Sequence, residues 1–192
     1  MLKANFITAQ EAAEKIQDGS TLCTIGMTLV SASESILKAI EKRFETVGHP
    51  ADITLVHSCG QSDRKDGIQH LAHEGLVKRI VGSHWGLQPR WMEMIANSQV
   101  EAYCLPQGQI AQLYRSMACG LPGKMSKVGL GTFIDPRVEG GKMNDRTKPL
   151  PDIVDILEYG GEEYMFYKEI PLDTVLIRGT VCDEMGNLTT TE

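Results

Sequence analysis

Cysteine is sparse in this 192-residue chain, and its five copies (Cys23, Cys59, Cys104, Cys119, Cys182) never form a CxxC pair. An odd, scattered set argues against a disulfide framework and offers no metal-ligand spacing. Long apolar runs are missing as well. No uninterrupted stretch approaches the roughly 20 residues of a membrane span, and the amino terminus soon meets Glu11 and Glu14 instead of a signal-peptide core. A cytoplasmic protein with reduced thiols, no metal and no membrane contact is expected. Positive charge is in deficit: 19 Lys and Arg stand against 25 Asp and Glu, a net charge of -6. That sign opposes binding to nucleic acid, which needs a basic surface to displace counterions from phosphates.

Familiar catalytic signatures are lacking too. Gly129-Leu-Gly131 begins like G-x-G-x-x-G, but position 134 is Ile and no helix follows. Neither Gly123-Lys124 nor Gly141-Lys142 has the upstream glycine of a P-loop. In Gly82-Ser-His-Trp-Gly86 the serine is one place too early for the hydrolase elbow. His70 and His73 at i, i+3 could share a helix face and a metal, yet no third ligand is signalled, so a structural role is favoured. His57-Ser-Cys59 looks like a nucleophile pair, but neighbours on a strand point to opposite faces, which favours packing.

What is present is ordinary globular material, 42% hydrophobic and 23% charged, with no repeats. Charge is unevenly spread. Residues 151–192 carry ten acids against Lys168 and Arg178, a balance of -8, which leaves about +2 on the first 150 residues. An anionic ligand is expected to prefer that first stretch.

Short β-like runs alternate with amphipathic stretches. Thr8 and Glu11 form a capping-box pattern ahead of Ala12, Ala13 and Ile16. Ser20 to Ile25 reads as a buried strand ending at Gly26. Ile36, Leu37, Ile40 and Phe44 recur at helical spacing until Gly48 and Pro50. Ile53 to Val56, Lys78 to Val81 and Val100 to Leu105 read as further strands. Helices are expected around Trp91, Met92 and Ile95, and over Gln107 to Met117. This order, with strands apolar throughout, predicts a mostly parallel α/β sheet flanked by helices.

After Gly120 the pattern changes. Residues 120–150 hold six glycines and three prolines and read as a long functional loop region. Asp152 to Leu157, Glu163 to Tyr167 and Thr174 to Arg178 then predict a smaller antiparallel section towards the C-terminus. The chain stops at Thr189-Thr-Thr-Glu192 without a closing motif, so a piece of a longer protein is expected.

Two segments stand out. Leu105-Pro-Gln107-Gly sets a carboxamide between a strand end and a helix start, where ligands of open α/β sheets sit. A glutamine there can donate to a carboxylate or thioester oxygen; a simple helix-start role fits the spacing equally well. The other is Val128 to Asn144, a glycine-rich loop carrying Arg137 and Lys142.

On these residues the chain resembles the family I coenzyme A transferases, most closely the single-chain acetate/propionate (acyl-CoA:acetate or 3-oxoacid) type. Leu105-Pro-Gln-Gly, Val128-Gly-Leu-Gly-Thr-Phe-Ile-Asp-Pro-Arg137 and Gly140-Gly-Lys-Met-Asn144 carry the likeness. Glu74-Gly-Leu-Val-Lys78, Gly82-Ser-His-Trp-Gly86 and Cys182-Asp-Glu-Met-Gly-Asn187 agree with it, in order.

The resemblance implies an amino-terminal CoA-transferase domain over 1–192, the first lobe of a two-lobed enzyme. It implies an acyl-CoA and a short-chain carboxylate as substrates, a coenzyme A thioester in place of any cofactor, and a homo-oligomer. It also implies a nucleophilic glutamate in the second lobe, outside this chain, so no catalytic residue is assigned here. Gln107 matches the family's substrate-contacting glutamine, and Gly26, Gly129 and Gly131 match segments lining its acyl pocket. Where the family has several glycines after the first strand, this chain has Gly26-Met-Thr-Leu-Val-Ser31, which leaves the acyl group open. A non-catalytic small-molecule-binding or structural subunit of the same wider fold is the alternative.

Overall fold

Two rows of side chains, one residue apart, set the architecture. The computed structural model describes residues 3–190, and four of its strands run parallel: β1 (Thr21–Thr24), β2 (Ile53–His57), β3 (Val77–Gly82) and β4 (Glu101–Cys104). Leu22, Leu55, Ile80 and Ala102 are paired across them and enter one buried cluster. The next residues, Cys23, Val56, Val81 and Tyr103, pair likewise and enter a second cluster. Successive side chains of a strand point to opposite faces, so a strand apolar at every position needs cover on both.

The first face is covered by α1 (Ala9–Glu14), α2 (Glu34–Val47), a 3-10 helix (Gly67–Leu71) and α3 (Pro89–Ala96). Six residues cannot hold a helix alone in water. The capping box is formed as expected, with the Thr8 amide 2.7 Å from Glu11 Oε2 and the Glu11 amide 3.2 Å from Thr8 Oγ1. At the other end of α1 the Arg43 guanidinium donates to the Ala13 and Ile16 carbonyls at 2.8 and 2.9 Å, a cation at a helix carboxyl terminus. Helix α2 buries Leu37 and Ile40 and ends at Gly48, whose φ of 74° is the left-handed cap that glycine favours. In α3, Trp91 and Ile95 are buried as the periodicity predicts, whereas Met92 faces outward.

The second face carries α4 (Gln107–Ala118) and an antiparallel sheet of β5 (Gly123–Ser126), β6 (Val154–Tyr159) and β7 (Glu162–Lys168), in the order β5-β7-β6. Residues 127–150 form consecutive turns, and part of this segment seals the open edge of β4. The Met143 amide donates to Ala102 O, the Cys104 amide to Gly141 O, and the Ala102 amide to Thr147 Oγ1, at 2.9, 2.7 and 2.8 Å. An uncovered edge strand is a template for unwanted pairing, and this cover removes it.

Two expectations need correction. The segment predicted over Thr174 to Arg178 does not join the antiparallel section. Its strand β8 (Thr174–Leu176) pairs parallel with β1 and completes a five-stranded sheet in the order β4-β3-β2-β1-β8. The loop predicted over 120–150 contains β5, which exists because β7 offers it an edge. A short hairpin, β9 (Val181–Cys182) with β10 (Leu188–Thr189), follows. Among the described residues no helix is long and apolar enough to cross a membrane.

One glycine tests the packing of the first face. Gly67 opens the 3-10 helix at φ 78°, and a Cβ there would lie 2.0 Å from the Gln61 carbonyl oxygen. That oxygen already accepts the Ile68 amide at 2.8 Å, so the backbone has no room to give. Gly67→Ala is expected to destabilise the fold by about 2–4 kcal/mol, combining left-handed strain with a backbone clash. Urea unfolding measures it, and a loss under about 0.5 kcal/mol would show that the segment can move.

Candidate functional site at the carboxyl ends of the parallel strands

All five parallel strands end on one side of the molecule. The strand order runs from β1 through β2 and β3 to β4, then resumes on the other side of β1 with β8. In open α/β sheets such a reversal opens a crevice beyond the strand ends, where ligands bind. A hollow of about 580 Å³ lies there, walled by Thr28 to Ser31 after β1 and by Arg178 to Thr180 after β8.

The β1 wall is a forced turn. Gly26 has a φ of 148°, and a Cβ would lie 2.7 Å from the Val30 carbonyl oxygen. Met27 and Val30 exchange amide hydrogen bonds of 3.0 and 2.9 Å, which puts Thr28 at φ 52° and Ser31 at φ 62°. The expected departure over Met27 to Val30 is thus a tight reverse turn with both apolar ends exposed. Gln61, arriving from beyond β2, ties it down: its Nε2 donates to Thr24 O at 2.9 Å and Gly26 O at 3.4 Å, while Thr24 Oγ1 donates to its Oε1. Gln61 belongs to no motif named from the sequence. Its position just after Gly60 at a strand end was the available signal.

Gln107 is the first residue of α4, behind Pro106, and its exposed side chain has no hydrogen-bond partner among the described residues. Gly129 and Gly131 lie in the turns after β5. A Cβ on Gly129 would sit 2.7 Å from the Tyr167 hydroxyl, and the Gly131 amide donates to Asp135 Oδ2 at 2.9 Å. Asp135 is buried and clamped by the Arg137 guanidinium, which holds its carboxyl well below the usual carboxylate range. Arg137 then reaches Glu163 on β7 at 2.9 Å, so the glycine-rich loop is pinned to the second face. None of the four residues lines the hollow; Gly26 precedes its β1 wall in the chain.

The histidines sort differently from one another. His57 is fully buried, its ring edge-on to Trp85 at 6.0 Å, and among the described residues neither nitrogen has a hydrogen-bond partner of good geometry. The Cys59 thiol lies 3.8 Å from His84 Nε2. The Cys104 thiol is pushed by burial up to about 11, too high to act as a nucleophile near neutrality. On the first face, His70 joins Glu41 through Nδ1 and Glu34 through Nε2 at 2.8 Å, and His73 reaches Glu41 at 2.9 Å. Glu34, Asp66 and His70 could converge on a cation, but the Lys38 ammonium already lies 3.0 Å from Glu34 and 3.3 Å from Asp66.

These histidines give stability opposite pH slopes. Burial pushes the His57 pKa down to about 4, so its contribution is present above the unfolded value of about 6.5 and fades as pH falls towards 4. It amounts to at most about 3 kcal/mol. Burial also opposes charge on His70, but the carboxylates of Glu41 and Glu34 outweigh it and its pKa is raised. That contribution is complete below about pH 6.5 and is lost as pH rises through the folded value. The melting temperature is therefore expected to peak near pH 6.5. His57 ring signals in long-range proton–nitrogen spectra should stay neutral to about pH 5; a His57 midpoint near 6.5 would refute its burial.

Comparison with known proteins agrees with this geometry. The sequence profile described as "Coenzyme A transferase" matches residues 6–192. The chain belongs to the coenzyme A transferase family. It is 43% identical to the caffeate CoA-transferase of Acetobacterium woodii over 187 residues, which cover 97% of this chain and 35% of that protein. Its identity to the acetate CoA-transferase YdiF of Escherichia coli K12 is 38% over 185 residues, covering 95% of this chain and 34% of the relative. The crystal structure of the YdiF apoenzyme from Escherichia coli O157:H7 superposes with a TM-score of 0.92 at 35% identity, over 97% of this chain and 36% of that one. The chain thus spans about a third of the length of these transferases.

Proposed function

We propose that this chain serves as the amino-terminal lobe of a CoA-transferase that moves CoA from an acyl-CoA to a short-chain carboxylic acid. The observation that carries the reading is the family match over 6–192 joined to a superposition at TM-score 0.92, which covers 97% of this chain. The relatives' own names, caffeate and acetate CoA-transferase, are consistent with a carboxylic acid acceptor and leave its size open.

In this reading a glutamate outside the chain attacks the donor thioester carbonyl and CoA leaves as thiolate, giving an acyl–glutamyl anhydride. The thiolate then attacks the glutamyl carbonyl and releases the first acid as its carboxylate. The acceptor carboxylate next attacks the glutamyl thioester, and the returning thiolate takes the new acyl group while the glutamate is restored. Each attack puts charge on an oxygen, and donors aimed at that oxygen lower the barrier. Gln107 is such a donor: its carboxamide is free, and it stands where β4 hands over to α4. Gly26, Gly129 and Gly131 shape backbone around the acyl group, at φ values that suit glycine.

Transfer from acetyl-CoA to isotopically labelled propionate by the complete polypeptide, followed by mass spectrometry, tests the reading. Ping-pong kinetics and a borohydride-sensitive CoA adduct are expected. Transfer by a sequential route with no covalent CoA adduct would overturn it.

A further inference from the structure

Two hollows meet at Arg178. It lines the 580 Å³ hollow of the switch point together with Thr28, Ser31 and Thr180. It also lines a neighbouring hollow of about 480 Å³ whose other wall is Ser33 to Ile36, the start of α2. Among the described residues Arg178 enters no ion pair, whereas Lys168, the other cation of the acidic carboxyl-terminal stretch, holds Asp155 at 2.9 Å.

The start of α2 is equally unoccupied. Ser33 precedes a 14-residue helix, yet its hydroxyl does not cap it, and that oxygen is buried without a partner. The amides of Ser33, Glu34 and Ser35 have no acceptor among the described residues. Free amides at the head of a long helix carry partial positive charge and point where an anion would sit. The one carboxylate on this wall is already engaged: Glu34 is held by Lys38 at 3.0 Å, His70 at 2.8 Å and the Gly67 amide at 2.9 Å. An unpaired guanidinium and an uncapped helix head thus line adjoining hollows at the strand-order reversal.

We propose that Arg178 and the head of α2 form an oxyanion subsite that receives a carboxylate or phosphate group of the substrate. The proposal deepens the transferase reading and rests on it, because that reading supplies both anions: the carboxylate of the acid, and the phosphates of CoA. A planar guanidinium suits either, donating two parallel hydrogen bonds to paired oxygens.

The test is titration of this chain with propionate, inorganic pyrophosphate and CoA in turn, read in proton–nitrogen spectra. Amides of Ser33 to Ile36 and of Arg178 to Thr180 should shift, and Arg178→Gln should weaken the responsible ligand about 10- to 100-fold. Arg178→Lys should recover part of that loss, and both variants should melt like the parent because the side chain is exposed and unpaired. A response to propionate alone assigns the carboxylate, and a response to pyrophosphate and CoA assigns the phosphates; either supports the subsite. Unchanged affinity in Arg178→Gln, or shifts confined to other amides with all three ligands, overturns the subsite and leaves the transferase reading intact. No response anywhere to any of the three ligands counts against both.

Discussion

Assayed alone with acetyl-CoA and propionate, the 192-residue chain is expected to transfer no measurable CoA. The proposed chemistry needs a carboxylate that is free, ionised and within reach of a thioester at the strand ends. Among the described residues no acidic side chain lines the hollow at the switch point. Glu34, on the adjoining wall, already holds Lys38, His70 and the Gly67 amide. Asp135 is buried and locked to Arg137. Glu139 and Asp152 stand with Lys142 and Lys148 in a separate small depression. Losing a covalent nucleophile cannot be recovered from binding contacts, because the route itself is gone. An exchange assay sensitive to a 10⁵-fold deficit would decide it. Turnover within tenfold of a complete family member would place the nucleophile inside this chain and overturn the two-lobed reading.

The parts of the fold legible in the sequence are those whose cause is local. Each central strand is a short run apolar on both faces, and α1 and α2 carry their own start and stop residues, Thr8, Glu11 and Gly48. What was not legible depends on partners far away in the chain. Thr174-Val-Leu176 has no feature that distinguishes a parallel neighbour of β1 from a third antiparallel strand; its register with Leu22 to Thr24 is set by tertiary packing. Gly123-Lys-Met-Ser126 has little strand propensity and is extended because β7 lies beside it. The same division holds at the site. Gln107 was visible because proline, strand end and helix start are adjacent in sequence. Arg178 was not, because an arginine after a short strand means nothing until that strand is known to flank the reversal.

Replacing Gln107 is expected to lower kcat of the complete transferase by about 10²–10³-fold for Gln107→Ala, the usual loss for one donor to a developing oxyanion. No structural role occupies the side chain among the described residues. The side chain is exposed and caps no helix end, so nothing among the described residues uses its carboxamide. For the same reason either substitution should leave stability within about 0.5 kcal/mol of the parent. Gln107→Glu should be at least as harmful as Gln107→Ala. It exchanges the donor for an ionised acceptor, which repels both the acid substrate and the charge formed on the thioester and anhydride oxygens. That repulsion predicts a distinguishing signature: protonating the new carboxyl restores a donor, so Gln107→Glu should regain activity relative to Gln107→Ala as pH falls below about 5. The measurement is kcat for both variants across pH, beside a thermal melt of each. Turnover in Gln107→Ala within threefold of the parent, at an unchanged melting temperature, would reduce Gln107 to the first residue of a helix and remove it from the chemistry.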